Sequence, residues 1–209
     1  MTSSSGKNPV RDAKLPISNG VHVILPQENN PALREICQSV PVSEISGPRI
    51  QGLIAQMKAL LDKEEYGVAL AAPQVGETLR LFIVRGLALA RYAEHEGGES
   101  VESKHAPPPP DPSRRKQAEA DQIYINPEFI KLSRTKGAKH EGCLSIRGKW
   151  GTVVRSEKAT IRAYDERGKR CTRGASGFLA HIFQHEMDHL DGILYTDKAK
   201  EIHDEEEKE

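Results

Sequence analysis

The sequence predicts an α+β fold, with mixed or antiparallel sheets packed around a late metal-binding helix and one amphipathic helix near the N-terminus. Three observations carry this expectation. An early stretch repeats apolar residues at helical spacing, several short β-rich runs follow with turn residues between them, and a late helical stretch holds two histidines four residues apart. Helix, strands and then one late helix is not the strand–helix alternation of a parallel sheet.

Residues 21–25 form a short apolar run and are expected as a strand, broken at Asn30 and Pro31. A helical turn is expected over 32–37. Gly47 and Pro48 open the first helix, with proline suited to its first position, and Ile50, Leu53, Ile54, Met57, Leu60 and Leu61 make one apolar face through about Lys63. The small, apolar block 67–76 reads as a tightly packed turn, since small residues allow close backbone approach. Strands are expected at 79–84, at 123–126 with a turn at Pro127, at 153–154 and at 160–164. The segment 165–168 is then a hairpin turn into 169–173. Ser176 is expected to cap the late helix and Gly192 to terminate it. Trp150, the only tryptophan, is read as a packing residue.

A chain of 209 residues is long enough for one domain with a real core. Residues 1–20 are expected as a disordered leader, 21–197 as a single catalytic domain with a flexible insertion at about 91–120, and 198–209 as an acidic tail. The insertion is polar, carries four prolines in a row at 107–110 and has nothing to bury; the proline run is read as a spacer rather than a docking peptide. Lysine plus arginine equals aspartate plus glutamate, 30 against 30, so no global field draws in DNA or a membrane surface. No apolar run approaches the roughly 20 residues that span a bilayer, and the N-terminus lacks the apolar core of a secretory signal. Three cysteines, an odd count, point to a reducing compartment and a cytoplasmic protein, with organellar targeting left open.

The chemistry concentrates at 184–190. On a helix, His185 and His189 project from one face a turn apart and can grip one divalent ion, while Glu186 can reach a water beside it without being a ligand. The bland reading, two solvated histidines on a polar face, sits poorly with Leu179, Ile182, Phe183 and Leu190 on the same helix. A catalytic centre needs a third ligand and an open position. Cys143 is the better candidate, since thiolate plus two imidazoles suits a borderline ion; His140 competes for the role. Cys37 and Cys171 are expected as inert thiols.

Three blocks now coincide: GVALAAPQVG at 67–76, EGCLS at 141–145 and QHEMDHL at 184–190, with lesser echoes in NPALR, INP and DGILYTD. Together and in this order they resemble the signature motifs of the peptide deformylase family, over residues 21–197 apart from the insertion. The resemblance implies Cys143, His185 and His189 as metal ligands, with Fe²⁺ the ion in the cell and Zn²⁺, Ni²⁺ or Co²⁺ able to replace it. It implies Glu186 as the proton carrier, and Gln74 and the Leu144 backbone N–H as donors to the developing oxyanion of an N-formylated peptide. Gly67, Val68, Ala69, Glu141, Gly142, Phe178, His181 and Ile182 are implied to line the substrate site. Asp188 is expected to orient a neighbouring group rather than bind the ion, with a plain surface acid the alternative.

Departures bear on selectivity. Ala69 adds a methyl where the family has glycine, and His181 and Lys139 are more polar than the pattern, which puts the first-residue preference in doubt. The acidic tail would be repelled by RNA, so any ribosome association is transient and weakened. A metallopeptidase, which shares the helix motif, and a metal-binding protein without turnover are the competing readings.

Overall fold

The computed structural model describes residues 22–86, 88–89 and 120–205. The expected leader, and all of the expected insertion except residue 120, lie outside the described residues.

Helix α1 (Pro48–Leu61) starts on Pro48 after Gly47 and buries Ile50, Leu53, Ile54, Met57 and Leu61. Its partners are Leu70, Leu81, Ile83, Ile123 and Ile125, contributed by β1 (Ala69–Ala71), β2 (Leu81–Val84) and β3 (Gln122–Leu132). These strands join β6 (Lys158–Tyr164) and β7 (Arg170–Ser176) in a five-stranded antiparallel sheet, ordered β1-β2-β3-β6-β7. A second antiparallel sheet runs β4 (Lys136–Cys143), β5 (Ile146–Ser156) and β8 (Ile202–Asp204). Helix α2 (Gly177–Leu190) buries Ala180, Phe183, Met187 and Leu190 against the five-stranded sheet. There Phe183 meets Tyr124 edge-on at 5.1 Å, and Phe82 lies 5.0 Å from Tyr124. Each such ring or aliphatic side chain, once fully buried, contributes about 1.5–3 kcal/mol. A short helix, α3 (Tyr195–Lys198), follows.

Local chemistry explains the turns. The Asp165 carboxylate accepts from Arg167 N and Lys169 N at 2.9 and 2.8 Å, and Gly168 takes φ +76°, which closes the β6–β7 hairpin.

Three expectations require correction. Residues 22–26 form no strand; Leu25 N donates to Gln74 O and Gln27 N to Ser145 O, single bonds that dock the segment without building a ladder. Strand β3 does not stop at Pro127. Asn126 adopts φ 51°, a register shift absorbs the proline, and pairing with β6 resumes to Leu132. Asn126 is held there by two side-chain bonds to Val40, 2.8 Å from its N–H and 2.7 Å to its carbonyl. Ser176 occupies the position before α2, yet its side chain makes no capping bond.

Part of the acidic tail joins a sheet. Residues 202–204 pair with β5 as β8, and His203 stacks on Trp150 at 4.4 Å. Gly151 permits this approach: a Cβ there would lie 2.9 Å from both Ala199 Cβ and Glu201 O.

Candidate metal centre

Strand β4 ends at Cys143, where a register shift between Gly142 and Cys143 turns the chain toward α2. Across from it, one face of α2 presents His185 and His189. The Cys143 sulfur and one ring nitrogen from each histidine all lie within 4.8 Å of one another. Cys143 Sγ is 3.3 Å from His189 Nε2, close to the roughly 3.6 Å edge expected of a tetrahedron built on a sulfur and an imidazole ligand. His140 is not part of the cluster; it is exposed and packs edge-on against Trp150 at 5.1 Å. Cys37 is buried, and burial pushes its thiol up to about 12. Cys171, half-buried, is likewise raised by burial.

The donor set fits a divalent ion. His185 Nδ1 is 2.7 Å from Glu141 Oε2, so an Nδ1–H donated to that carboxylate leaves the Nε2 lone pair for the cluster. Burial disfavours a charged His185, but hydrogen bonds with Cys143 and Glu141 and the nearby Glu186 outweigh it and hold this imidazole well above its usual range, so an ion binding here displaces its Nε2 proton. His189 is driven the other way, by burial and by the His185 charge, and so stays neutral as a ligand must be. Among the described residues, the buried Glu186 Oε2 has no hydrogen-bond partner. Burial lifts the Glu186 carboxyl to about 7 against the opposing pull of His185.

A buried ionic chain stands behind His185. Glu141 takes Arg155 Nε and NH2 at 2.6 and 2.9 Å, and its Oε1 lies 3.1 Å from His181 Nε2. Burial alone would raise Glu141, but the bonds from Arg155, His181 and His185 outweigh it and hold it far below the usual carboxylate range. Arg155 reaches on to Asp188 Oδ2 at 2.6 Å, and Lys198 Nζ meets Asp188 Oδ1 at 2.6 Å. Asp188 is thus a buried partner and not a surface acid. Sequence reasoning missed Arg155, although a signal exists: it stands two residues after Val153 on the inward side of β5, where a cation requires a buried counter-charge.

Gln74 lies in the 3-10 turn Ala72–Val75 that follows β1. Its Oε1 accepts from Ala71 N at 2.8 Å, which aims Nε2 at Cys143 Sγ and Ser145 Oγ, both 3.5 Å away. Leu144 follows Cys143, and no hydrogen bond among the described residues uses its N–H. Of the residues expected around substrate, Gly67, Val68 and Ala69 lead into and begin β1, the outermost strand of its sheet. Gly142 is exposed beside Cys143. Glu141 is different: its carboxylate points inward at 1% exposure and is fully engaged by Arg155 and the two histidines. Ile182, on α2 itself, is buried in the core, and Phe178 meets the His181 ring at 6.0 Å. Lys139 is paired with Glu157 at 3.1 Å.

A cysteine sulfur, two imidazoles and a buried carboxylate with an unpartnered oxygen on an antiparallel α+β frame suit a metal-dependent hydrolase. Residues 23–205 match the family model described as polypeptide deformylase. A peptide deformylase of Treponema pallidum is 35% identical over 163 residues, covering 78% of this chain and 80% of that one. One from Desulforudis audaxviator is 33% identical over 177 residues, covering 85% and 93%. The crystal structure of a Legionella pneumophila peptide deformylase superposes with a TM-score of 0.65 at 30% identity over 86% of each chain. The Met-Ala-Ser-bound Acinetobacter baumannii enzyme gives 0.67 at 27% identity, covering 85% and 98%. The chain belongs to the polypeptide deformylase family, metal-dependent hydrolases that remove the N-formyl group from nascent peptides. Among the described residues, no helix is long and apolar enough to cross a membrane.

Proposed function

We propose that this protein deformylates N-formylmethionyl peptides in the cytoplasm, with Cys143, His185 and His189 holding one divalent ion, Fe²⁺ in the cell and replaceable by Zn²⁺, Ni²⁺ or Co²⁺. The observation that carries the reading is the unpartnered Glu186 carboxylate buried beside the sulfur–imidazole cluster. When bound, the ion supplies Lewis acidity that eases deprotonation of a water and polarises the formyl carbonyl. Glu186 accepts the proton from the attacking water and returns it to the departing amine, so that formate and a free N-terminus result. The Gln74 amide, fixed by its bond from Ala71 N, and the free Leu144 N–H donate to the oxyanion as it develops. Glu141 holds His185 in one tautomer, and Arg155 holds Glu141.

The peptide backbone docks on the free edge of β1. In the β1–β2 pair, Arg85 N bonds Val68 O, whereas Ala71 N turns away to Gln74. By antiparallel alternation, the N–H and C=O of Ala69 therefore face the open side, ready for an added strand. Contact with the ribosome is transient, as the acidic C-terminal residues oppose RNA. The test is formate release from formyl-Met-Ala-Ser by anaerobically prepared, iron-loaded protein; cleavage of internal peptide bonds instead would assign a metallopeptidase.

A second reading, altered first-residue preference, is favoured by His181, which brings a polar ring bonded to Glu141 one turn before His185. A panel of formyl peptides varied at the first residue decides it. His181→Ile should shift selectivity toward methionine, and an unchanged ranking would retire this reading.

A further inference from the structure

Residues 22–27 lie across both elements that carry the oxyanion donors. Leu25 N donates to Gln74 O at 2.9 Å, and Gln27 N donates to Ser145 O at 2.9 Å. A short piece of chain thus joins the Ala72–Val75 turn to the connection that holds Cys143, Leu144 and Ser145. The direct contacts between those elements are looser, with Gln74 Nε2 3.5 Å from both Cys143 Sγ and Ser145 Oγ. The segment is itself anchored at both ends. His22 N donates to Gln56 Oε1 at 3.0 Å, and the His22 ring stands between that oxygen and Glu77 Oε1, at 2.7 and 3.3 Å. At the far end Asn30, 1% exposed, donates through Nδ2 to Pro73 O at 2.7 Å and accepts from Ala32 N through Oδ1. Between these anchors, Ile24 packs against the same core cluster as Leu144.

We propose that residues 24–27 are a positioning strap: the main-chain N–H groups of Leu25 and Gln27 fix the spacing between the Gln74 amide and the Leu144 N–H. The strap acts through those two donors and not on substrate. An oxyanion donor must stand within about 2.7–3.1 Å of the developing charge, and a misplacement of about 1 Å can cost about 100-fold. Gln74 and Leu144 belong to different elements, so their separation is set by whatever bonds both. Ser145 is buried, and its carbonyl, deprived of the Gln27 N–H, would have to shift to find another donor. That shift carries the neighbouring Leu144 away from Gln74.

The fold permits a test aimed at one bond. Gln27 opens a 3-10 turn (Gln27–Asn29), a position that suits proline, and Pro26 before it is already extended, at φ −65° and ψ 149°, as a residue preceding proline must be. Gln27→Pro therefore removes the N–H to Ser145 and keeps the path of the chain. Gln27→Ala keeps that N–H and loses only a side chain whose bond goes to Glu28. The proposal rests on the deformylase reading, so the substrate is formyl-Met-Ala-Ser and the enzyme is metal-loaded. Gln27→Pro should lower kcat about tenfold and leave KM within about twofold, as when a contact made only in the transition state is weakened. Gln27→Ala should match the wild type in both. An α-hydroxy acid in place of Gln27, which turns the N–H into an ester oxygen, should reproduce the proline variant without its ring. In the zinc-loaded protein, the Leu144 N–H and Gln74 side-chain resonances should shift in Gln27→Pro and stay in place in Gln27→Ala. A kcat equal in the proline and alanine variants, a loss confined to KM, unmoved resonances in Gln27→Pro, or an ester variant as active as wild type would overturn the strap alone. If the wild type released no formate, the deformylase reading would fall, and the strap's role with it.

Discussion

Glu141→Gln is nearly isosteric, yet it strikes the point where stability and the candidate metal centre meet. The carboxylate engages four nitrogen donors, two from Arg155 and one each from His181 and His185, at 2.6 to 3.1 Å. A glutamine offers one oxygen with two lone pairs and turns an NH₂ toward the remaining donors. About two donors lose their acceptor, and the Arg155 charge, 4% exposed, keeps only Asp188. At about 1–3 kcal/mol per orphaned buried donor, the loss is about 3–5 kcal/mol, the same size as breaking a buried ion pair. With a urea m-value of about 2 kcal/mol/M, the unfolding midpoint should fall by about 2 M. Because Glu141 sits below its ordinary value near 4.5, its contribution is full above that pH and fades as pH falls further, so wild type and variant should converge in acid. Losing the carboxylate behind His185 should also weaken metal affinity about 10–100-fold, read by chelator competition on folded protein. A midpoint within about 0.5 M of wild type together with unchanged metal affinity would refute the reasoning, since m-value and burial leave no room for so small an effect.

Glu186→Gln should retain bound metal while kcat falls about 10²–10⁴-fold, because the ligands are untouched and proton transfer is lost; metal analysis beside kinetics checks it. Cys143→Ser should release metal to a chelator that the wild type resists, since the thiolate is the soft member of the set. Gly151→Val should cost about 1–3 kcal/mol and loosen β8, as its side chain would meet Ala199 Cβ and Glu201 O; faster tryptic cleavage at Lys200 reports it.

Much of the site was legible because its chemistry is local. The four-residue spacing of His185 and His189 fixes their common face through helix geometry alone, and EGCLS and GVALAAPQVG mark their blocks without any knowledge of what they touch. The hairpin after β6 was legible for the same reason, with Asp165 and Gly168 supplying the turn within a few residues. What failed was non-local. Residues 22–26 have strand composition but find no partner edge, and Asn126 holds β3 through Pro127 only because Val40, 86 residues away, takes both ends of its side chain.

By itself, then, the sequence determined the α+β order, the family and the identity of the candidate ligand side chains. Only the tertiary structure decided that Glu141 turns inward to Arg155 rather than outward, that Asp188 and Lys198 extend that chain, and that the acidic end supplies a strand. The physical reason is that a charge in the interior takes its meaning from its partner. Partners 14 to 83 residues apart, Glu141 with Arg155 and Glu64 with Arg147, are brought together by folding and not by any local pattern.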